Sequence, residues 1–202
     1  MAVSRVDAGS TTLAILAGGR GERMGGIDKG LVPIAGRALV GHVLDALRGQ
    51  GMETVLIVAN RSHEAYARHA PVIADAEPAF RGPLAGIAAA LAVCTTPWLL
   101  SVPVDCPDPP PDLVARFAAA ARSGRAAPAL VAHDGERRQP LFALYRRALA
   151  ADAAAAAGNS LGVHAWQQHI GAREVDFAAV RAHFANLNTP AALAAHAEKH
   201  DD

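Results

Sequence analysis

The sequence predicts an α/β fold of three layers, in which a mostly parallel sheet carries helices on both faces. Short apolar runs typical of buried strands alternate with segments in which apolar residues recur at helical spacing. A glycine-rich stretch directly follows the first of these runs. Because 202 residues suit one domain with a substantial core, we expect a single Rossmann-like domain.

The first half of the chain is predicted to supply four strands and three helices. The strands are expected at residues 11–17, 54–59, 72–74 and 98–103. Apolar residues at helical spacing predict a helix over 39–47, which the glycines at Gly49 and Gly51 end. Ser62 is placed to cap a helix that ends near residue 69, and Pro83 to begin one that ends near residue 94.

The second half is predicted to add shorter elements. Strands are expected at residues 129–132, 141–144, 175–177 and 184–187, and helices at 111–124, 148–157 and 190–199. The first two of these strands flank a turn at Asp134 and Gly135. Right-handed crossovers bring the carboxyl ends of the first, second and fourth strands of the chain to one edge, where α/β sheets bind ligands.

The bulk composition excludes several classes of partner. The formal net charge is +0, which argues against nucleic acid as a main partner. No apolar run is long enough to span a membrane, and the widely separated Cys94 and Cys106 suit a reducing compartment. Residues 1–11 lack the apolar centre of a signal peptide and are interpreted as a disordered leader. We therefore expect a cytoplasmic protein whose domain spans residues 12–198.

Residues 16–30, with the sequence LAGGRGERMGGIDKG, form the most informative stretch. Glycines let backbone N–H groups wrap a polyphosphate, and Arg20, Arg23 and Lys29 supply positive charge. The chain has 2 lysines among its 19 basic residues, so a lysine inside this loop points to a function. A dinucleotide-binding fingerprint fails at Met24, where a third glycine is required, and a Walker A loop fails because no Ser or Thr follows Lys29.

Polar side chains follow three of the predicted strands. Asp105 comes just after the fourth strand, where a carboxylate is placed to hold a hard cation such as Mg²⁺. The alternative for Asp105 is a turn or helix-capping role before Pro107. Asn60 ends the second strand, either as a ligand contact or as a helix cap, and Asp75 ends the third. A carboxylate can accept hydrogen bonds from the N–H edge of guanine, although the residues leave open whether Asp75 meets base or ribose.

The glycine-rich loop resembles the LAGGxGxRMG…K signature of nucleotidyltransferases of the nucleotide-diphospho-sugar transferase type. Its GGIDKGL segment resembles more narrowly the MobA-like molybdenum cofactor guanylyltransferases, and the resemblance covers about residues 12–198. It implies that family's fold, with an N-terminal half that binds the NTP and a C-terminal half that binds the acceptor. The nucleotide contacts that it implies are Leu16, Ala17, Gly18, Gly19, Lys29, Asn60, Asp75, Gly82 and Asp105.

The resemblance also implies the catalytic groups and the cofactor. Lys29, Arg23 and Asp105 are the implied catalytic residues, and Arg23 is expected to contact the β- and γ-phosphates. Asp105 is the implied ligand of the Mg²⁺ cofactor. Each assignment is made at a position that matches the family's motifs. Together they give the glycines and cations of the loop a role in nucleotide transfer.

The implied acceptor contacts lie near the C-terminus. Gln139 follows the turn at Asp134, and Asn186 and Asn188 are two of the chain's four asparagines. Side-chain amides both donate hydrogen bonds to a pterin and accept them from it. A helix cap before Pro190 is the alternative for Asn188, and it leaves Asn186 unexplained.

The resemblance therefore implies transfer of GMP from GTP to the terminal phosphate of Mo-molybdopterin, with release of pyrophosphate. GTP and Mo-molybdopterin are the expected partners, together with transient contacts to molybdenum-insertion proteins and molybdoenzyme chaperones. The alternatives are a CTP-dependent molybdopterin cytidylyltransferase or related NTP transferase, and a GTP-binding chaperone without catalysis.

Overall fold

A computed structural model describes residues 6–17, 28–74, 82–123 and 126–187 of the chain. The strands in these residues are β1 (Thr11–Leu16), β2 (Pro33–Ile34), β3 (Arg37–Ala38), β4 (Val55–Val58), β5 (Val72–Ile73), β6 (Trp98–Pro103), β7 (Ala129–His133), β8 (Arg138–Arg146) and β9 (Arg173–Asp176). Seven of them form one sheet in the order β5–β4–β1–β6–β8–β7–β9, and β2 and β3 form a separate antiparallel pair.

The sheet is parallel except at one strand. Strand β1 pairs in parallel with β4 and β6, and β4 pairs in parallel with β5. Strand β8 runs antiparallel between β6 and β7, and β9 pairs in parallel with β7. The prediction of a mostly parallel sheet is therefore confirmed for the strands that the structure describes.

Helices cover both faces of the sheet. The described helices are α1 (Leu39–Arg48), α2 (His63–Ala67), α3 (Pro83–Val93), α4 (Leu113–Ser123), α5 (Ala150–Gly158) and α6 (Val163–His169). Because strand side chains alternate between faces, Leu13 and Ile15 of β1 pack with α1 and α4, whereas Ala14 packs with α3, α5 and α6. The predicted three layers are confirmed. Within the described residues, every helix is too short or too polar to cross a lipid bilayer.

Two predictions of local structure are wrong. Ser62 has a left-handed backbone with a φ of 53° and makes no side-chain capping bond to α2, because a cap requires an extended backbone at that position. Residues 184–187, predicted as a strand, form none. Phe184 instead ends a 3-10 helix, Ala178–Phe184, and packs edge-on against Phe142 and Phe177 at ring-centroid distances of 4.9 and 5.7 Å.

Other parts of the fold were not predicted. Residues 6–11, expected in a disordered leader, belong to the folded domain: Val6 is buried, and the Asp7 carboxylate accepts a hydrogen bond from the Ser10 N–H at 2.9 Å. The β2–β3 hairpin follows the glycine-rich stretch, and its turn residues Ala35 and Gly36 have φ angles of 46° and 72°. Helix α6 is anchored by the buried Trp166. The predicted helix at 190–199 lies outside the described residues.

Candidate active site

Lys29 and Asp105 meet at the carboxyl edge of the sheet. The Lys29 ammonium group donates a hydrogen bond to Asp105 Oδ2 at 3.2 Å, and the two side chains are 19% and 23% exposed. They are 76 residues apart in sequence, so the fold rather than local sequence brings them together. Both side chains were expected at one edge of the sheet, and they meet there.

The register of the parallel strands explains this meeting. Leu16, the last residue of β1, pairs with Val58 at the end of β4 and with Pro103 at the end of β6. Two further backbone hydrogen bonds continue the ladder, from the Ala17 N–H to the Val58 carbonyl at 2.9 Å and from the Val104 N–H to the Leu16 carbonyl at 3.1 Å. The three strands therefore end level, and the residues that follow them share one edge.

A buried cluster holds the turn that carries Lys29. The Tyr66 hydroxyl on α2 donates a hydrogen bond to Asp28 Oδ1 at 2.5 Å, and Arg61 Nε lies 3.5 Å from Asp28 Oδ2. Burial and the neighbouring Asp28 carboxylate raise the pKa of Tyr66, so its hydroxyl remains a donor. A Cβ at Gly30 would lie 2.4 Å from the Tyr66 hydroxyl oxygen and 2.9 Å from Val104. The glycine after Lys29 is therefore required by the close approach of Tyr66.

The amino end of α3 forms the wall opposite this turn. Gly82 precedes the helix with φ 81° and ψ −178°, a conformation that essentially only glycine adopts, and Pro83 occupies the first turn. One turn later, Gly86 packs against the end of β4, where an added Cβ would lie 3.2 Å from Val58 Cγ1. The free N–H groups of a helix start favour an anionic ligand at this wall.

These elements enclose a cleft that we call the strand-end cleft. Its lining includes Leu16, Ala17, Lys29, Gly82, Asp105 and Leu141. Arg61 also lines it, next to the predicted contact Asn60, which is half-buried in the turn after β4. Sequence reasoning missed Asp28, Arg61 and Tyr66, although Asp28 stands in the glycine-rich loop and Arg61 directly follows Asn60.

The segment that carries Asn186 is attached to the Asp105 loop. The Leu187 N–H donates a hydrogen bond to the Asp105 carbonyl at 2.9 Å, and the Cys106 thiol donates one to the His183 carbonyl at 3.0 Å. Burial raises the pKa of Cys106 to about 12, so its thiol stays protonated and serves as a donor. Asn186 itself is exposed beside Asp105, while Leu187 packs with Ile34 of the β2–β3 hairpin.

Gln139 lies in a second, more open cleft beside β8. This side cleft is lined by Asp134, Arg137, Gln139, Arg181, Phe184 and Ala185, among others. The Gln139 amide donates to Asp134 Oδ2 at 2.5 Å, and Asp134 Oδ1 accepts from the backbone N–H groups of Glu136 and Arg137 at 2.9 and 2.8 Å. Desolvation raises the pKa of Asp134, but these hydrogen bonds outweigh it and lower the pKa to about 2.

Two stretches of chain join the side cleft to the strand-end cleft. On β8, Gln139 lines the side cleft, and Leu141, two residues on, lines the strand-end cleft. Asn186 stands between Ala185, which lines the side cleft, and Leu187, which bonds to Asp105. The predicted acceptor residues Gln139 and Asn186 are thus brought toward Asp105. Gly18, Gly19, Arg23, Asp75 and Asn188, also predicted as site residues, lie outside the described residues.

The described residues suit a magnesium ion that shares its ligands with a substrate. Mg²⁺ in proteins takes oxygen ligands, commonly one or two carboxylates with phosphate oxygens and waters. In the described part of the chain, no three His, Cys, Asp or Glu side chains are grouped to hold a metal by themselves. The half-buried Asp105 carboxylate supplies one hard oxygen donor at the cleft, which fits such a shared site.

A doubly wound α/β sheet whose strand-end cleft brings together two cations, two carboxylates and the start of a helix defines the class of protein that binds a phosphorylated ligand at that edge. The chain belongs to the MobA-like NTP transferase domain family, whose pattern it matches over residues 13–199.

Related proteins agree with this membership. The chain is 44% identical over 185 residues to the molybdenum cofactor guanylyltransferase of Vibrio cholerae, covering 91% of this chain and 90% of that protein. It is 42% identical over 188 residues to the enzyme of the same name from Cupriavidus taiwanensis, covering 90% and 94%.

Solved structures share the fold at lower identity. The crystal structure of molybdopterin-guanine dinucleotide biosynthesis protein A from Archaeoglobus fulgidus superposes with a TM-score of 0.74 at 23% identity, covering 94% of this chain and 97% of that one. The 2-C-methyl-D-erythritol 4-phosphate cytidylyltransferase of Thermus thermophilus superposes with a TM-score of 0.68 at 19% identity, covering 94% and 98%. At these identities the likeness concerns the fold, which is the predicted nucleotide-diphospho-sugar transferase type.

Proposed function

We propose that this protein transfers GMP from GTP to the terminal phosphate of Mo-molybdopterin, forming a guanine dinucleotide cofactor and releasing pyrophosphate. The observation that carries the proposal is the 3.2 Å contact of Lys29 with Asp105 inside the strand-end cleft. It is supported by 44% identity to a protein named molybdenum cofactor guanylyltransferase. In this proposal both groups contact the α-phosphate region of the bound GTP.

The nucleotide is proposed to occupy the strand-end cleft. Leu16, Ala17 and Gly82 offer backbone to the ligand, and the start of α3 favours its negative charge. Asn60 is proposed as a further nucleotide contact, together with Gly18, Gly19 and Asp75. Arg23 is proposed to hold the β- and γ-phosphates, which leave as pyrophosphate.

The acceptor is proposed to extend from the side cleft toward Asp105. Gln139 lines the side cleft, Asn186 is adjacent in sequence to Ala185, which also lines it, and Asn188 follows two residues later. Arg181 and Arg137 at the side cleft supply positive charge for an anionic acceptor, although Arg181 also pairs with Glu136. This route lets the terminal phosphate of the acceptor meet the α-phosphate of GTP next to Lys29.

The chain needs no general base for this reaction. A phosphate monoester has a second pKa of about 6, so the attacking oxygen of the acceptor's terminal phosphate is already largely ionised at neutral pH. The residues instead position two anions and neutralise the charge that develops between them. Lys29 stabilises the α-phosphate through its ammonium group, and Asp105 would hold Mg²⁺. When bound, the ion supplies additional positive charge to the phosphate oxygens.

Pyrophosphate release tests this proposal directly. The purified protein is incubated with Mg²⁺, molybdopterin carrying molybdenum, and either GTP or CTP, with the acceptor or the metal omitted as controls. We expect release with GTP only, and none without acceptor or after chelation of the metal. Preference for CTP would support the cytidylyltransferase alternative, and GTP binding without release would support a non-catalytic chaperone. Cytoplasmic localisation and transient contacts with molybdenum-insertion proteins and molybdoenzyme chaperones form part of the same proposal.

A further inference from the structure

Strand β8 leaves the regular sheet at the edge where the two clefts meet. Its pairing with β7 joins Ala143 to Val131 and then Gln139 to Ala132, so Pro140, Leu141 and Phe142 bulge out between consecutive pairs. Its pairing with β6 ends at Ala143 and Ser101. The bulge therefore begins where β8 separates from both neighbours.

Two fully buried side chains provide the hydrogen bonds that the bulge loses. The Ser101 hydroxyl donates to the Leu141 carbonyl at 2.7 Å, and the Gln167 amide donates to the Pro140 carbonyl at 2.8 Å. Both side chains belong to residues with 0% exposure. Gln167 also donates to the Tyr145 hydroxyl at 2.6 Å. Pro140 and Leu141 are half-buried, and a carbonyl that is shielded from water is costly without a donor, so these two residues stabilise the bulged backbone.

A regular strand would need neither residue. In a β8 without the bulge, hydrogen bonds to β6 and β7 would satisfy the same carbonyls. Burial of an apolar side chain at position 101 or 167 would then cost less free energy than burial of a polar one. Bulges occur next to functional sites, where they redirect side chains. Here the bulge directly follows Gln139, which lines the side cleft, and contains Leu141, which lines the strand-end cleft.

We infer that Ser101 and Gln167 are positioning residues, which hold the β8 bulge so that an acceptor in the side cleft reaches the Lys29–Asp105 pair. This inference rests on the proposed function, because it concerns the acceptor of that reaction. Ser101 and Gln167 touch neither substrate. They act through the backbone of Pro140 and Leu141, which sets the separation of Gln139 from the strand-end cleft.

The test measures two binding constants in the same variants. Ser101→Ala and Gln167→Met remove the two donors with little change of volume, and isothermal titration calorimetry gives the Kd for GTP and for molybdopterin. We expect the molybdopterin Kd to rise about 10-fold, since misplacement of about 1 Å in a positioned contact has effects of this order or larger. The GTP Kd should change by less than about 2-fold, because Leu141 is the one bulge residue in the described lining of the strand-end cleft. Pyrophosphate release should fall with the loss of acceptor binding.

Thr12→Val is the matched control. Thr12 is 2% exposed and its hydroxyl shares a 2.7 Å hydrogen bond with the Thr96 hydroxyl, far along β1 from the cleft edge. The substitution should lower Tm to a similar degree without changing either Kd. If Ser101→Ala or Gln167→Met does not fold, Tyr145→Phe removes only the hydroxyl that Gln167 contacts and serves as the third variant.

The inference is overturned if the variants lower Tm as Thr12→Val does while the molybdopterin Kd stays at the wild-type value. It is also overturned if both Kd values rise together, since the bulge would then support the whole site. Wild-type protein that binds both ligands but releases no pyrophosphate would refute the proposed function and leave this inference standing. Wild-type protein that does not bind molybdopterin would refute both.

Discussion

The strand-end cleft and the side cleft lie a few residues apart but are built by different means. The strand-end cleft uses the level ends of three parallel strands, β4, β1 and β6, and its backbone follows from their register. The side cleft depends on the one antiparallel strand of the described sheet, on a bulge, and on a segment attached to Asp105 by the Leu187 N–H. The first is specified by regular pairing and the second by individual side chains. Substitutions should therefore separate the two in function.

Removal of the Lys29 ammonium group should have the largest effect. Lys29→Ala is expected to lower pyrophosphate release by about 100- to 1,000-fold, because the group neutralises charge that develops during transfer. The turnover number with saturating GTP and acceptor measures it. Arg37→Ala, which removes an exposed cation paired with Asp45 outside both clefts, should leave turnover unchanged. Turnover of Lys29→Ala within about 3-fold of wild type would contradict the proposed role.

The second-largest effect is expected from substitution of Gly82, the glycine before α3. At φ 81° and ψ −178°, an alanine at position 82 would cost about 1–3 kcal/mol of backbone strain. The strain would move the start of α3, so Gly82→Ala should weaken GTP binding about 10-fold while molybdopterin binding changes little. Calorimetric titration with each ligand measures both. The control is Gly158→Ala at the end of α5, where an added Cβ would meet no atom within 4 Å, and it should alter neither affinity.

Loss of the Tyr66 hydroxyl should have a smaller effect, again on the strand-end cleft. Tyr66→Phe removes the 2.5 Å hydrogen bond to Asp28 and should cost about 1 kcal/mol of stability. Because the Lys29 turn would then be held less firmly, turnover should fall several-fold with little change in acceptor KM. The comparison variant is Tyr145→Phe on the acceptor side, which should change acceptor binding more than turnover at saturation. Equal effects of the two substitutions on both parameters would argue against separate clefts.

The contrast between regular strand pairing and individual side-chain contacts also explains how much of the fold and site could be predicted from the sequence. The layers and the parallel strands followed from apolar runs and crossover handedness, and the meeting of Lys29 with Asp105 followed from these together with the resemblance of the glycine-rich loop to the nucleotidyltransferase signature. These features depend on local pattern and on rules that hold for every parallel sheet. The Asp28–Tyr66 contact needs side chains 38 residues apart to touch, and no periodicity signals it.

The acceptor side was predicted least well for a related physical reason. Phe184 and Leu187 are apolar ends of a short segment that was predicted as a strand, but the segment's partners are aromatic rings and the Asp105 carbonyl rather than a neighbouring strand. The bulge likewise gives no signal in the sequence, because Ser101 and Gln167 are 66 residues apart, and Gln167 stands among other polar residues such as Gln168 and His169. Only the fold reveals that both donate to β8.

Acid should reduce the contribution that Asp134 in the side cleft makes to the stability of the folded protein. Its pKa of about 2 in the folded protein lies below the ordinary value of 3.8, so the folded state favours the ionised carboxylate. Its contribution to stability is therefore fully present above about pH 4 and is lost as the pH falls toward about 2. Asp134→Asn should be less stable than wild type at neutral pH, and the difference should shrink in acid. Urea unfolding at pH 7, 5 and 3.5 or so measures this change.

Asp45→Asn separates this effect from general acid unfolding. Asp45 forms an ion pair with Arg37 at the surface, with side chains 48% and 51% exposed, and such pairs contribute little to stability. Its difference from wild type should be small at every pH. If the stability difference between Asp134→Asn and wild type stays constant from neutral pH into acid, the negative charge of the Asp134 carboxylate does not contribute to stability. Because the folded protein keeps Asp134 ionised down to about pH 2, the hydrogen bond from Gln139 should persist at pH 3.5 or so, and a shrinking gap should therefore reflect protonation of Asp134 in the unfolded chain.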